Sequence, residues 1–530
     1  MPPKMRQLTC LQTLQLFKVG LERSSNRRIR SFEKPKREEA RTAHLQEKSN
    51  IYKLAYVWFH DEPEGSETND EYVLDGRLLP NLVRLKLSGC KRCKEIPSLG
   101  QLKLLRHLEL SKLHKVECIG PTFYGKNIGS SSNIQVFPSL KELVLKSMSS
   151  LIEWKGNEVG VRMFPRLEKL TITACPLLKS TPSQFEILRE LEIFMVDSEM
   201  PLLNLCNNVS LQTLTVSGCR ELRKLPQSLY NLHSLKSLQI HFCPNFSSFP
   251  VPSGENYLTS LRSLELWECD GLTSLPSGML EHCRSLGFLR VSCCNNLVSF
   301  PLHVWEMPSL FYLGLSNCPK FISVPAGSLQ CLTGLRVLEI GPLSEMMDFE
   351  AFQLIFNGIQ QLLSFRNLRV SGHGHWDSLP HQLMQLSALK GMGINDFGIE
   401  ALPDRLDNLT SLETLHLVSC KRLQHLDFSY AMPKLWYVYI HDCPLLEALS
   451  DGLSNLVSLE ELSCLKLEES CNNRSGPNSQ WSNISHIPKI KVTSSKVMIE
   501  RLYGDRLEHF ASLVLGLLET LDCMVFEIFS

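Results

Sequence analysis

Large apolar residues recur along most of this chain in one spacing, L-x-x-L-x-L-x-x-C. In the middle of the chain the pattern returns every 24 to 26 residues. Residues 211–219 read LQTLTVSGC, residues 235–243 read LKSLQIHFC and residues 261–269 read LRSLELWEC. Alternating apolar and polar positions in the L-x-L core are typical of a short strand with one buried face. Each repeat therefore predicts one strand followed by a turn.

The same template fits sixteen repeats in phase. Their first apolar residues are Leu82, Leu105, Leu140, Leu167, Leu188, Leu211, Leu235, Leu261, Leu286, Leu310, Leu335, Phe365, Leu389, Leu412, Leu435 and Leu459. The period is that of leucine-rich repeats, in which each repeat buries its apolar face only by stacking on its neighbours. We expect an α/β solenoid, a leucine-rich-repeat horseshoe with a parallel concave β-sheet.

In the central repeats an apolar pair and then a proline follow the predicted strand, as in Leu222, Leu225 and Pro226. Because proline has no N–H to donate, it excludes a regular helix at this point. The convex side is therefore predicted to be largely irregular.

Cysteine occupies one position of the repeat, at the end of the strand. The cysteines at this position are Cys90, Cys175, Cys219, Cys243, Cys269, Cys294, Cys318, Cys420 and Cys443. Residues that share one position in stacked coils form a column, and a free cysteine behaves there as a small apolar residue. We expect a column of buried free thiols in place of disulfides.

The pattern divides the chain into three parts. Residues 1–80 are predicted to hold degenerate repeats, such as the one beginning at Leu11, with a charged insertion. Residues 81–467 form the solenoid. Residues 468–530 are expected to cap the last strand, which exposes unpaired backbone groups, and to end in a helical tail.

The balance of charged residues gives no reason to expect an anionic binding partner. Lys and Arg number 55, as do Asp and Glu, so the net charge is zero and neither nucleic acid nor an anionic membrane is favoured. The first residues lack the apolar core of a signal peptide, which indicates a cytoplasmic protein. The apolar stretch 513–529 contains Glu519, Asp522 and Glu527, so we expect no membrane span.

The repeated phrasing resembles a known family. SGCRELRKLPQSLYNLHSLKSLQI (residues 217–240) and QEKSNIYKLAYVW (residues 46–58) are similar to plant intracellular nucleotide-binding leucine-rich-repeat disease-resistance proteins, in their coiled-coil subclass. The resemblance covers roughly residues 1–492 and implies a role in innate immunity. The family's phosphate-binding loop, G-x-x-x-x-G-K-[ST], does not occur in this sequence, so the resemblance implies a truncated receptor without its nucleotide switch.

Two short motifs have the spacing of metal ligands. Cys90-Lys-Arg-Cys93 lacks a second pair, and Cys90 belongs to the thiol column; a structural thiol is therefore the better interpretation. His373-Gly-His375 is better explained by polar loop residues. The sequence contains no catalytic motif of the common hydrolase, zinc-protease or kinase types. We therefore expect no enzyme activity, no cofactor and no metal.

The candidates for binding are aromatic residues at strand positions that face solvent. They are Phe242, Trp267, Phe288, Phe311, Tyr312, Trp436, Tyr437 and Tyr439. Exposed aromatics on a concave sheet are typical of protein-binding hot spots, although loops could equally cover them. The resemblance implies a pathogen effector, a guarded host protein or the nucleotide-binding domain of a receptor as partner. An adaptor with leucine-rich repeats, of the ubiquitin-ligase type, is the alternative.

Overall fold

The fold was analysed in a computed structural model. The model describes residues 13–17, 81–90, 93–125, 135–156, 162–251, 258–446, 451–464 and 485–491, except 184, 276, 323, 404, 427 and 429–431. The possible repeat beginning at residue 51 and the tail at 513–529 lie outside these ranges. The chain forms two compact units. The N-terminal unit comprises residues 1–310 and 317–323, and the C-terminal unit comprises residues 311–316 and 324–530.

Short strands are the main element of both units. They are β1 (Thr13–Phe17), β2 (Arg84–Ser88), β3 (His107–Ser111), β4 (Cys118–Ile119), β5 (Gln135–Val136), β6 (Glu142–Lys146), β7 (Glu153–Trp154), β8 (Arg162–Met163), β9 (Lys169–Thr173), β10 (Glu190–Phe194), β11 (Thr213–Ser217), β12 (Ser237–His241), β13 (Ser263–Trp267), β14 (Phe288–Ser292), β15 (Tyr312–Ser316), β16 (Val337–Ile340), β17 (Asn367–Ser371), β18 (Gly391–Asn395), β19 (Thr414–Val418), β20 (Tyr437–His441), β21 (Glu461–Cys464) and β22 (Lys489–Lys491). Each of the sixteen predicted repeats contains a strand that begins two residues after its first apolar residue. The predicted repeat pattern is confirmed.

All the strand pairs are parallel and join equal positions of consecutive repeats. In the N-terminal unit the sheet runs β1, β2, β3, β6 and then β9 to β14 in order. In the C-terminal unit it runs from β15 to β22 in order. The register of β11 and β12, for example, places Leu214 opposite Leu238 and Val216 opposite Ile240. Each unit is thus a stretch of the predicted leucine-rich-repeat α/β solenoid.

Two strands extend the sheets beyond the sixteen repeats. The early strand β1 follows Leu11 and pairs directly with β2. Strand β22 follows the buried Ile487 and pairs with β21. The part of residues 468–530 around Ile487 therefore continues the parallel sheet.

The core lies between each sheet and the chain that returns from it. All sixteen first apolar residues of the repeats are at most 2% exposed, and so are the two inward strand residues of the central repeats, such as Leu238 and Ile240. The apolar column is continuous within each unit because equal positions stack on each other. Burial of this column stabilises both units.

The side opposite the strands, predicted to be largely irregular, contains short turns of helix. Its α-helices are α1 (Met200–Leu205), α2 (Ser277–Glu281) and α3 (Phe349–Leu354). Its 3-10 helices are Pro121–Phe123, Gln227–Asn231, Leu302–Glu306, Ser328–Cys331, Ile359–Gln361, His381–Gln385, Leu406–Asn408 and Asp451–Asn455. Pro226, Pro301 and Pro380 stand directly before three of these 3-10 helices. We call this the loop side, and we call the outward-facing surface of the sheet the strand face.

The thiol column is confirmed. All nine cysteines of the column are buried and free. The Cys175 thiol donates to the carbonyl oxygen of Thr173 at 3.5 Å, and Cys243 donates to that of His241 at 3.3 Å. Burial raises the pKa of the Cys175 thiol to about 12. These two thiols therefore donate to the backbone where their strands end.

The residue before the thiol column turns the chain away from the sheet. At this position most repeats adopt a left-handed backbone, as at Ala174 (φ 52°) and Gly218 (φ 66°). The Ala174 N–H donates to the carbonyl oxygen of Phe194 in the next strand at 2.9 Å. The hydrogen-bond ladder therefore continues one residue past the end of the strand.

Candidate protein-binding surface

The outward strand positions of the first repeats carry charges that pair with one another. Lys86 lies 2.9 Å from Glu109 on the next strand, and Lys169 lies 2.7 Å from Glu192. The Thr171 hydroxyl also donates to Glu192, at 2.9 Å. This part of the strand face satisfies its own polar groups.

A first aromatic cluster lies at the end of β12 and β13. Trp267 stands opposite His241 in the register, and its ring centroid lies 5.5 Å from that of Phe242. The guanidinium carbon of Arg290 lies 5.7 Å from the centre of the Trp267 ring, which is cation–π distance. Phe242 and Trp267 are both half-buried. The indole is thus packed against its own neighbours.

Phe242 belongs to this cluster through an unusual backbone. Its φ is 54°, in the left-handed region that few bulky residues adopt. Its N–H donates to the carbonyl oxygen of Trp267 at 2.7 Å, which fixes the ring beside the indole. The phenylalanine therefore occupies the turning position that glycine holds in the preceding repeat, at Gly218.

Phe288 lies apart from this cluster. It begins β14 and stands opposite Ser263, whereas Trp267 stands opposite Ser292 at the other end of the strand. Four residues of strand separate the two levels, or roughly 13 Å. Phe242, Trp267 and Phe288 lie on successive coils, but Phe288 occupies a different position of its repeat and does not join the cluster.

Phe311 and Tyr312 begin the C-terminal unit. Phe311 is 46% exposed and Tyr312 is half-buried. The carbonyl oxygen of Phe311 accepts from the N–H groups of Arg336 and Val337, at 2.8 and 3.0 Å. The sheet therefore holds the backbone that carries these two rings.

The second aromatic cluster is larger and covers β19 and β20. The Trp436 ring centroid lies 5.6 Å from that of Tyr437, which lies 5.4 Å from that of His416. Tyr439 lies 5.5 Å from His416 and stacks on His441 at 6.3 Å. Trp436 is 41% exposed and Tyr437 is half-buried. We call these five residues the β20 patch.

Within the β20 patch, Tyr439 was expected to face solvent, and this is wrong. Tyr439 is only 7% exposed, because the rings of His416, Tyr437 and His441 surround it. Burial, and next the neighbouring Tyr437, raise the pKa of Tyr439 to about 12. Tyr439 therefore supports the exposed rings from beneath.

His416 belongs to the site, although no sequence motif marks it. Burial first, and next the charge of Arg369, lower the pKa of His416 to about 4. Arg369 passes over Gly393, where an added Cβ would stand 3.4 Å from the arginine Cγ. The histidine is therefore neutral at pH 7 and acts as one more aromatic ring. Its place as the third, outward residue of β19 is the sequence signal that could have identified it.

Metal and membrane chemistry find no support in the described residues. In this part of the chain, no group of three or more His, Cys, Asp or Glu side chains could hold a metal ion. The Cys93 thiol donates to the Glu95 carbonyl oxygen at 2.8 Å, and His373 packs on Trp376 with ring centroids 4.6 Å apart. Across the same ranges, no helix has both the length and the apolar character to span a bilayer.

Comparisons with known proteins lead to one group. Residues 54–199 match the family of plant disease-resistance leucine-rich repeats of the RPS2-like type. The chain is 26% identical to TMV resistance protein N of Nicotiana glutinosa over 412 residues, which covers 73% of this chain and 33% of that protein. It is 30% identical to disease resistance protein RGA2 of Solanum bulbocastanum over 266 residues, covering 42% and 27%.

A third relative, disease resistance protein RPP4 of Arabidopsis thaliana, is 27% identical over 391 residues and covers 67% of this chain and 30% of that protein. Among solved structures, a leucine-rich-repeat protein of Leptospira interrogans is 18% identical, with a TM-score of 0.40 and coverage of 78% and 95%. The chain spans about a third or less of the length of these plant relatives. The resemblance to the leucine-rich-repeat region of plant disease-resistance proteins is confirmed.

Proposed function

We propose that this leucine-rich-repeat chain of the plant disease-resistance type is a recognition module that binds a protein partner and catalyses no reaction. The observation that carries the proposal is the β20 patch, in which an exposed tryptophan and a half-buried tyrosine stand on a hydrogen-bonded sheet. Rigid aromatic side chains supply a large contact area and lose few rotamers on binding.

The relatives are named for disease resistance, which supports a role in defence. We propose a pathogen effector, a guarded host protein or the nucleotide-binding domain of a receptor as the partner, met in the cytoplasm. Assignment to the coiled-coil subclass remains part of this proposal. All three partners are proteins, which is the kind of ligand that the neutral, aromatic β20 patch suits.

The candidate residues divide between the two units. Trp436, Tyr437, Phe311 and Tyr312 are the proposed contacts in the C-terminal unit, with Tyr439 as their support. In the N-terminal unit Phe242, Trp267 and Phe288 are secondary candidates. Their rings are half-buried. Replacing Trp267 by Ala removes its packing on Phe242 and Arg290, so we expect a loss of stability of about 1 kcal/mol as well.

Trp436→Ala tests the proposal cleanly. The chain is purified from plant tissue with its bound proteins, the partner is identified, and its dissociation constant is measured by calorimetry. We expect Trp436→Ala to weaken binding by about 2 kcal/mol, roughly 30-fold, because a central aromatic contact is lost. The melting temperature should remain near that of the parent chain.

Leu354→Ala is the matched control. Leu354 is 45% exposed, a fraction similar to that of Trp436. It lies in α3, on the loop side of the same unit. We expect it to leave the dissociation constant unchanged. Equal weakening by both variants, or unaltered binding by Trp436→Ala, contradicts recognition by the β20 patch.

A further inference from the structure

An open cavity of about 700 Å³ lies on the loop side of the C-terminal unit, between residues 377 and 422. Its floor is apolar and includes Leu379, Ile399 and Leu402, which are 3–9% exposed. Charged side chains line its rim. A concave site with an apolar floor and a few polar groups is typical of small-molecule binding.

The side chain on the loop side, five residues before the first apolar residue, differs between repeats. Five residues before the first apolar residue, two repeats of the N-terminal unit carry Tyr230 and Trp305, which are buried. The Tyr230 hydroxyl donates to the Pro250 carbonyl oxygen of the next repeat at 2.5 Å and closes the gap there. The same position holds Met384 and Asp407 in the two repeats beside the cavity. The repeats beside the cavity therefore lack the ring that these two repeats of the N-terminal unit bury.

The rim holds two arginines in different states. Arg422 forms an ion pair with Glu400. Arg405 is exposed, and among the described residues no carboxylate lies within ion-pair distance of it. One guanidinium on the rim is therefore available to a ligand.

Arg405 also has a costly backbone conformation. Its φ is 71°, and it directly precedes the 3-10 helix Leu406–Asn408. In two other repeats the residue that precedes the 3-10 helix has the same conformation and is glycine, at Gly327 (φ 68°) and Gly358 (φ 78°). Glycine adopts this conformation without strain, whereas arginine does not. Arg405 thus stands at a position where two other repeats have glycine.

We propose that this cavity binds a small organic anion, with a carboxylate or sulfonate held by Arg405 and an apolar body resting on Leu379, Ile399 and Leu402. The guanidinium presents paired donors that match a planar or tetrahedral oxyanion. The apolar floor removes the body of the ligand from water. The site is independent of the strand face and of the protein recognition proposed above.

The test uses a fluorescent anion of this kind, 8-anilinonaphthalene-1-sulfonate, and its uncharged counterpart, N-phenyl-1-naphthylamine. We expect the full chain to bind the sulfonate saturably, one per chain, and at least 10-fold more tightly than the amine. Arg405→Gly should lose this preference while melting at or above the parent temperature, because glycine relieves the strain. Arg405→Lys should retain part of the preference, since it keeps the charge.

Two further variants separate the cavity from non-specific binding. Ala401→Trp places a large ring on the cavity lining and should weaken binding of both probes at least 10-fold. Arg336→Ala removes an exposed arginine at a strand edge of the same unit and should change nothing. Equal affinity for the two probes in the parent chain, or unchanged sulfonate binding in both Arg405→Gly and Ala401→Trp, overturns the proposal.

Discussion

The strand face of β2 to β10 and that of β19 and β20 differ although their backbones are alike. In the first region the outward positions hold paired charges, such as Lys169 and Glu192 at 2.7 Å. In the second region the corresponding positions hold His416, Tyr437 and Tyr439. Both regions bury aliphatic residues on the inward side of the paired strands, mostly leucine, and Val438 and Ile440 in β20.

The difference shows that the two sides of each strand have separate tasks. The inward residues set the coil and are nearly invariant from repeat to repeat. The outward residues have no part in the core. One stretch of the strand face can therefore carry charges that pair with one another, while another stretch carries aromatic rings. Charged side chains that are already paired contribute little to binding a partner. The free energy lost when the internal ion pair breaks offsets the free energy gained from a new one. In the aromatic region, binding a partner breaks no such ion pair.

The largest expected effect is on the inward side, which is alike in the two regions and in the strands between them. Replacing Leu238 or Leu415 by Asp places an unpaired charge in a dry core, since both leucines are fully buried. We expect each change to lower the free energy of unfolding by more than ~4 kcal/mol, measured by urea unfolding followed by circular dichroism.

Ser237→Asp is the control for Leu238→Asp. Ser237 is the outward neighbour in β12, and its replacement should cost less than about 1 kcal/mol. If Leu238→Asp unfolds like the parent chain, the inward and outward sides of the strand are not distinct in the way described above.

The second prediction concerns acid. The pKa of His416 is about 4 in the folded chain, against an ordinary value of 6.5. Between these values the unfolded chain binds a proton that the folded chain does not, so stability is full above pH 6.5 and falls as the pH drops toward 4. At pH 4.5 this histidine should cost about 2–3 kcal/mol, given 1.36 kcal/mol per pKa unit.

His416→Asn removes this titration. Unfolding curves of the parent and the variant are compared at pH 7 and pH 4.5, and the loss of stability on acidification should be smaller in the variant. Equal losses would show that His416 is not held neutral by burial in the β20 patch.

The smallest effect is expected in the charged region. Lys169 and Glu192 have side chains that are 30% and 20% exposed. A double-mutant cycle with Lys169→Met and Glu192→Gln should give a coupling energy of about 0.3–1 kcal/mol that decreases in high salt. A coupling above 3 kcal/mol would mean that this face contributes to folding as the core does.

Much of the fold follows from the sequence because one physical rule fixes it. A leucine that must be buried at every coil leaves a repeated signal, and all sixteen strands begin where that signal places them. Strand β22 was missed because only Ile487 and Ile490 carry its pattern, within a stretch otherwise rich in polar residues.

The candidate site was less predictable because exposure depends on neighbours in space. Tyr439 and Tyr437 alternate with inward residues in the same way, yet rings from two strands cover only the first. His416 gained its neutral state from burial and from Arg369, two repeats away. Neither effect is visible in the spacing of residues along one repeat.

The equal register of neighbouring strands has a consequence for recombination between repeats. Every strand of the repeat pattern starts two residues after its first apolar residue and pairs with the same position of the next. A recombination event that joins equal codon positions of two repeats therefore preserves the hydrogen-bond ladder and the leucine column, whatever the length of the loops it brings along. Such an exchange replaces outward residues in blocks. The strand face can thus change by whole repeats while the paired strands keep their register.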